Sequence, residues 1–254
     1  MPQAPDFFHF GPDDRLFGSF APPAVDSAAD VVVVLAYPFG DEYMKAHKAF
    51  RQIATLLTRH GLPVLRFDYQ GTGDSLGSGG SAGIADWIED VRYAMEEARR
   101  RSGATRLHVG GLRLGASLAA LASEGRADVA RLVLWDAVVS GADYIAELDD
   151  ASSHREGQTW WVNGFPVSET LRAGLRRVDL RDVAIPRSTE VIQMLSGPGD
   201  AWDHLATALA DRVEANESRV IASPSNWSQN DDMGRILMPR DMVRGVVTAL
   251  SEAT

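Results

Sequence analysis

The chain has 254 residues, 45% apolar and 24% charged, with a formal net charge of −10 and no cysteine. That length fits one α/β domain with a modest insertion, or at most two small domains, and a chain of this size buries an adequate core without staples or metals. The missing cysteine excludes disulfides, thiolate metal sites and a cysteine nucleophile. The acidic balance leaves no basic surplus to neutralise nucleic-acid phosphates or an anionic membrane.

No apolar run approaches the roughly 18 residues of a membrane helix. The opening residues MPQAPDFFHFGPDD have neither a positive n-region nor an apolar h-region, so a cytoplasmic protein without a secretory signal is expected. Residues 7–20 read FFHF-GPDD-RLFGSF, two aromatic runs around a turn, which predicts a β-hairpin. Val31–Leu35 is apolar on both faces and β-branched, the pattern of a parallel strand covered on both sides. Helical spacing follows over Ala46–Arg59, stopped by Gly61, then a strand at Pro63–Phe67. Ile84, Trp87, Ile88, Val91, Met95 and Ala98 mark an amphipathic helix ending in four basic residues within Arg99–Arg106, where the macrodipole tolerates them.

Strand Leu107–Gly110, helix Ala116–Ser123 and strand Leu132–Trp135 continue the alternation, which predicts a parallel sheet with right-handed crossovers. From Gly141 to Arg187 the rhythm breaks, with Trp160, Trp161, a Gly164-Phe165-Pro166 turn and a helical Glu169–Arg177. It resumes with strand Glu190–Leu195, helix Trp202–Val213, a strand at 218–222 and helix Arg240–Leu250.

Residues 107–119 read LHVGGLRLGASLA, a strand, a tight Gly-x-x-x-Gly turn and a small-residue helix. This is the setting of the nucleophile elbow G-x-S-x-G, with Arg113 where the serine is expected. Upstream, Asp68-Tyr69-Gln70-Gly71-Thr72-Gly73-Asp74-Ser75 matches the D-x-x-G-x-G-x-S loop common in α/β-hydrolases. Together the two motifs predict an α/β-hydrolase fold, a mostly parallel central sheet with helices on both faces. The core is expected at 1–140 and 188–254, and a small lid or cap insertion at 141–187.

Tyr37-Pro38-Phe39-Gly40-Asp41-Glu42, the Gly111–Ala116 elbow, Leu134–Gly141 and Gly164–Ser168 resemble the exosortase A system-associated hydrolases of the second type, a serine aminopeptidase-like group. The resemblance implies the same fold and an arginine at the elbow, and it departs at Tyr37, where a histidine is common. Assignment of such proteins as hydrolases rests on fold.

A conventional triad follows the order nucleophile, acid, histidine. Arg113 cannot attack, because its pKa above about 12 keeps it protonated. The acid positions hold Asp200, after strand 190–195, and Asp136, after the preceding strand. The loop after the last strand, Ser223–Asp232, reads SPSNWSQNDD and contains no histidine. The last histidine of the chain is His204, beside Asp200 and Asp203, and it is the one histidine retained as a candidate base. Ser117 and Ser75 read as packing and turn residues. His9, His47, His60, His108 and His154 read as surface or core residues.

Without its serine, the elbow still offers the Leu114 N–H at a helix N-terminus, facing the Pro38–Gly40 loop, and a fixed cation. Arg113 is then either a plug neutralised by Glu42, Asp136 or Asp200, or a grip on an anionic ligand with those carboxylates around it. A buried arginine needs a partner in both cases. Phe39, Trp160, Trp161 and Phe165 are candidate walls of an apolar pocket, or lid residues packed on the core. Glu147-Leu148-Asp149-Asp150 reads as a solvated loop. No metal-ligand spacing stands out, and the glycine loop 71–79 lacks a P-loop lysine and a dinucleotide fingerprint, so no cofactor is expected. The functional expectation is a non-covalent biosynthetic enzyme or binder for a small acyl or anionic molecule. The alternatives are a degenerate hydrolase serving as a binding or partner protein, and an ester or thioester hydrolase with a relocated nucleophile.

Overall fold

The computed structural model describes residues 4–25, 30–223 and 239–252. The hairpin forms as β1 (Asp6–Phe10) and β2 (Leu16–Ala21), held by cross-strand rings such as Phe7 on Phe17, 6.2 Å between centroids. There follow β3 (Val31–Ala36), α1 (Asp41–Arg59), β4 (Val64–Phe67), α2 (Ile84–Ser102), β5 (Arg106–Leu112), α3 (Leu114–Ala122) and β6 (Val129–Trp135). The segment inserted after β6 folds as α4 (Gly141–Asp150), a three-stranded antiparallel sheet of β7 (Ser152–Glu156), β8 (Thr159–Val162) and β9 (Phe165–Ser168), and α5 (Glu169–Leu175). The chain returns through β10 (Glu190–Leu195), α6 (Asp200–Ala210), β11 (Asn216–Val220) and α7 (Arg240–Ser251).

The main sheet runs β1-β2-β4-β3-β5-β6-β10-β11, antiparallel at the hairpin end and parallel from β4 onward. The elbow strand β5 is therefore interior, between β3 and β6, as its apolar run requires. Helices α1 and α7 pack together, and α2 with α3, so both sheet faces are covered. Val32, Val33, Val34, Leu107, Val109, Leu132 and Val133 are fully buried between these layers.

Several boundaries differ from the periodicity, helix α6 for one ending at Ala210 and not Val213, and two have a clear cause. Helix α1 begins at Asp41, not Ala46, because Gly40 (φ 67°) turns the chain and Asp41 and Glu42 complement the helix N-terminus. The last strand is 216–220 rather than 218–222: as an edge strand its pairing with β10 decides its extent, and the polar Asn216–Ser218 pairs although apolar Ile221 lies beyond. Most of the 223–232 loop, which sequence reading found to lack histidine, lies outside the described residues.

The approach of α3 to the sheet depends on two glycines. A Cβ on Gly115 would come within 2.2 Å of the Tyr37 carbonyl oxygen, and one on Gly111 within 2.5 Å of Gly115 backbone. Those obstacles are backbone and cannot swing aside. Gly115→Ala is accordingly expected to destabilise the protein by about 3 kcal/mol, the upper end for overpacking, read as a lower urea midpoint at unchanged slope.

Candidate functional site

Arg113 ends β5 and caps α3 with φ 52° and ψ −123°, a backbone region that costs an ordinary side chain about 1–3 kcal/mol. The corner is fixed from both sides. The Arg113 N–H donates to the Trp135 carbonyl at 2.9 Å, and the Arg113 carbonyl accepts from Ala116 N at 3.1 Å. The turn is thus as sharp as the glycine pattern predicts, and it projects the residue-113 side chain past the C-terminal end of the sheet.

That side chain does not point into open space. Its Nε donates to Glu42 Oε1 at 3.0 Å, an Nη donates to Glu147, and the guanidinium carbon lies 5.5 Å from the centre of the Tyr144 ring. The Arg113 side chain is 17% exposed and that of Glu42 8%, whereas Glu147 is 56% exposed at the outer edge. Burial opposes the arginine's charge, but Glu42 and Glu147 outweigh it and hold the guanidinium above its ordinary pKa. Burial likewise lifts the Glu42 carboxyl, although Arg113 pulls against it, and Glu42 Oε2 is buried without a hydrogen-bond partner among the described residues.

Of the three carboxylates expected around Arg113, only Glu42 takes the role. Asp136, with φ 43°, instead spends its carboxylate oxygens on Ser196, accepting from Ser196 N at 2.7 Å and Ser196 Oγ at 2.5 Å. Burial raises its pKa. Asp200 starts α6 and is exposed, as is His204 in the same helix. The second partner, Glu147, is a correction: the acidic run 147–150 is the last turn of α4, not a loop, because Tyr144, Ile145 and Leu148 are buried along one side. The i, i+3 spacing of Tyr144 and Glu147 was the available signal, since it puts ring and carboxylate on neighbouring positions of one helix face.

The serines considered as displaced nucleophiles are engaged. Ser117 Oγ donates to Val138 O at 2.6 Å from a fully buried position. Ser75 Oγ donates to Asp68 O at 2.6 Å and accepts from Phe17 N at 2.8 Å, tying the glycine loop to the hairpin. His108 is buried, its Nδ1 2.8 Å from Leu250 O, and burial drops its pKa to about 4.

A cavity of about 290 Å³ lies between the β3–α1 loop, the glycine loop and β9. Phe39, Tyr69, Trp87, Phe165, Pro166 and Leu171 give it mainly apolar walls, and Gly71, Gly73, Gly79 and Gly80 let backbone form the rest. Trp160 and Trp161 are not among its walls. Trp160 lies between two guanidinium groups, 4.1 Å from that of Arg172 and 4.4 Å from that of Arg155, and Trp161 stacks on His154. Alternation along β8 and pairing with β7 decided their surroundings, which composition does not reveal. Leu114 is buried at the first position of α3 and is likewise outside the cavity lining.

Tyr43 stands at the cavity wall and donates to Asp68 Oδ1 at 2.8 Å, while Asp74 N donates to Asp68 Oδ2 at 3.0 Å. Beneath the loop, Asp90 is fully buried and accepts from Gln70 N at 2.8 Å, with Arg15 3.9 Å away.

Two predictions follow from these charges. Glu42→Ala leaves Arg113 with only the half-exposed Glu147 and is expected to cost about 3 kcal/mol, whereas Glu42→Met with Arg113→Met restores stability to within about 1 kcal/mol of the parent; urea denaturation of both variants checks this. Burial pushes Asp90 up to about 6 from 3.8. The folded state keeps that proton after an unfolded aspartate has released it, so stability falls as pH rises from about 4 to 6. Asp90→Asn, which retains an acceptor for Gln70, is expected to be more stable than the parent at pH 7 by about 2–3 kcal/mol, with the difference vanishing below about pH 4.

Solved structures match along nearly the whole chain. Est1E from Butyrivibrio proteoclasticus superposes with TM-score 0.68 at 12% identity, covering 98% of this chain and 96% of that one. The esterase domain of a Rhodothermus marinus protein gives 0.65 at 18% identity, with 97% and 95% covered. A Xanthomonas campestris protein described as an α/β serine hydrolase without lid gives 0.60 at 16% identity, with 98% and 93% covered. No curated protein sequence matches. These likenesses show the α/β-hydrolase fold, and with a family model matching residues 32–171 the chain belongs to the family described as serine aminopeptidase, S33.

Proposed function

We propose that this chain uses the α/β-hydrolase fold to bind a small molecule with an apolar or aromatic body, without serine-type acyl transfer. The observation that carries this reading is the clamp on Arg113. The position from which a nucleophile would act is occupied by a cation held by Glu42 and Glu147. A ligand reaching for that cation must displace a carboxylate that is nine-tenths buried, which argues for the plug over the grip. The cavity of about 290 Å³ suits a ligand of the size of one ring or two fused rings.

A second reading is a biosynthetic enzyme working without a covalent intermediate, and it draws on the Tyr43–Asp68 pair at the cavity wall. The relocated-nucleophile reading is disfavoured, since Ser117 and Ser75 are bonded into the backbone around them.

Four measurements test the proposal. Fluorophosphonate should label no serine stoichiometrically. The protein should hydrolyse p-nitrophenyl acetate no faster than Arg113→Ala, and Arg113→Ser should not gain activity, because a hydroxyl without a positioned base is a poor nucleophile. A gain in Arg113→Ser that disappears on adding His204→Ala would identify His204 as a base and overturn the reading. Finally, 1-naphthol should quench tryptophan emission saturably through Trp87, with Phe39→Ala weakening the binding about tenfold or more.

A further inference from the structure

A larger cavity lies elsewhere, between the hairpin and α1. It measures about 640 Å³, and Tyr43 alone among the walls borders both cavities. Its floor is Arg66 of β4, whose register sets it opposite Ser19 of β2. Arg66 is 9% exposed, and that remaining exposure faces the cavity it lines.

The partners of Arg66 are unusual for a buried guanidinium. One Nη donates to Tyr37 Oη at 2.9 Å and the other to Ser19 Oγ at 3.1 Å. Both acceptors are neutral, and among the described residues no carboxylate pairs with it. The other deeply buried arginine of the sheet behaves differently: Arg131, 2% exposed, forks onto Glu190 and caps the carbonyls of Ala249 and Glu252. An unneutralised buried cation is costly, so its place on the floor of a cavity points to an anion supplied from outside. With five donors and two in use, the guanidinium retains the fork that carboxylates fit.

The surroundings narrow the anion. Phe7, Phe17, Ala21, Pro22 and Ala54 form apolar walls, and Arg51 adds a second cation at the exposed turn of α1. Asp68 and Asp74 also line the cavity, but the Asp68 oxygens are already taken by Tyr43 and the Asp74 amide, and Asp74 is exposed at the rim. With those carboxylates nearby, one buried cation balances a single negative charge and not a phosphate dianion. We infer that this cavity is a binding site for a small organic carboxylate, its head on Arg66 and its apolar body against Phe7 and Phe17.

The test is titration of the full chain with phenylacetate, following the Arg66 Nε–Hε resonance by ¹⁵N NMR. Phenylacetate should shift that resonance saturably in the millimolar range, whereas 2-phenylethanol and inorganic phosphate should not. Arg66→Gln, followed through the backbone amide resonances of Ser19 and Phe17 at the cavity wall, should weaken phenylacetate binding about tenfold or more, as loss of a charge-assisted hydrogen bond requires. Should Arg66→Gln fail to fold, Thr55→Trp on the exposed turn of α1 narrows the same cavity and should abolish the shift with Arg66 intact. Equal response to 2-phenylethanol, equal response to phosphate, or no saturable shift overturns the inference. The elbow clamp and the smaller cavity are untouched by these variants, so failure here leaves the proposed function standing.

Discussion

The sharp corner at residue 113 is the constraint on which the centre of the molecule depends. A parallel strand that hands its chain directly to a helix has to reverse within one residue, and here that residue takes φ 52° and ψ −123°. The cost is offset because β5 is locked between β3 and β6 and α3 is pressed against the Ala36 and Tyr37 carbonyls. Such closeness is open only to glycine at 111 and 115. The corner then dictates where the side chain goes, and with it where a reactive group could sit. An arginine placed there has no choice but to enter the space at the end of the sheet, where its charge has to be met.

Neutralising that charge links three parts of the chain that are distant in sequence. Glu42 comes from the first turn of α1, Glu147 and Tyr144 from α4 after β6, and Arg113 from the elbow between them. The result is a bridge from core to inserted segment across the place where an α/β-hydrolase of ordinary chemistry needs room. A second set of buried charges supports the neighbouring glycine loop. Asp68 gathers Tyr43 and the Asp74 amide, and Asp90 holds the Gln70 amide from below. The loop backbone, rich in positive-φ glycines, is shaped by these carboxylates more than by packing of side chains of its own. The cavity wall it forms is consequently set by buried ionisable groups.

The cation at Arg66 contrasts with the one at Arg113. Both are arginines at or near strand ends and both are largely buried, yet one has two carboxylates and the other only hydroxyl groups. The difference separates a closed ion pair from a site prepared for an outside anion. It also means that these two cavities have different electrostatic character, one neutral and aromatic, the other apolar around a fixed positive charge.

Much of this was legible in the sequence, for physical reasons that can be stated. β-Branched runs such as Val31–Leu35 can only be buried strands, the Gly111–Gly115 spacing can only serve a tight corner, and a guanidinium at that corner demands a carboxylate. Hence the sheet, the central place of β5, the strain at Arg113 and its need for a carboxylate partner were all readable. What the sequence could not decide was which of several carboxylates would arrive. Asp136 and Asp200 were as near in motif terms as Glu42, but one is consumed by Ser196 and the other stands in solvent, while Glu147 reaches Arg113 from a helix read as a loop. Trp160 and Trp161 looked like pocket walls, yet strand pairing in the inserted segment set them against Arg155, Arg172 and His154. Local patterns determine which elements form, because periodicity and backbone sterics act over a few residues. Partner choice among charges is a long-range matter of helix position and strand register, and only the assembled tertiary structure decides it.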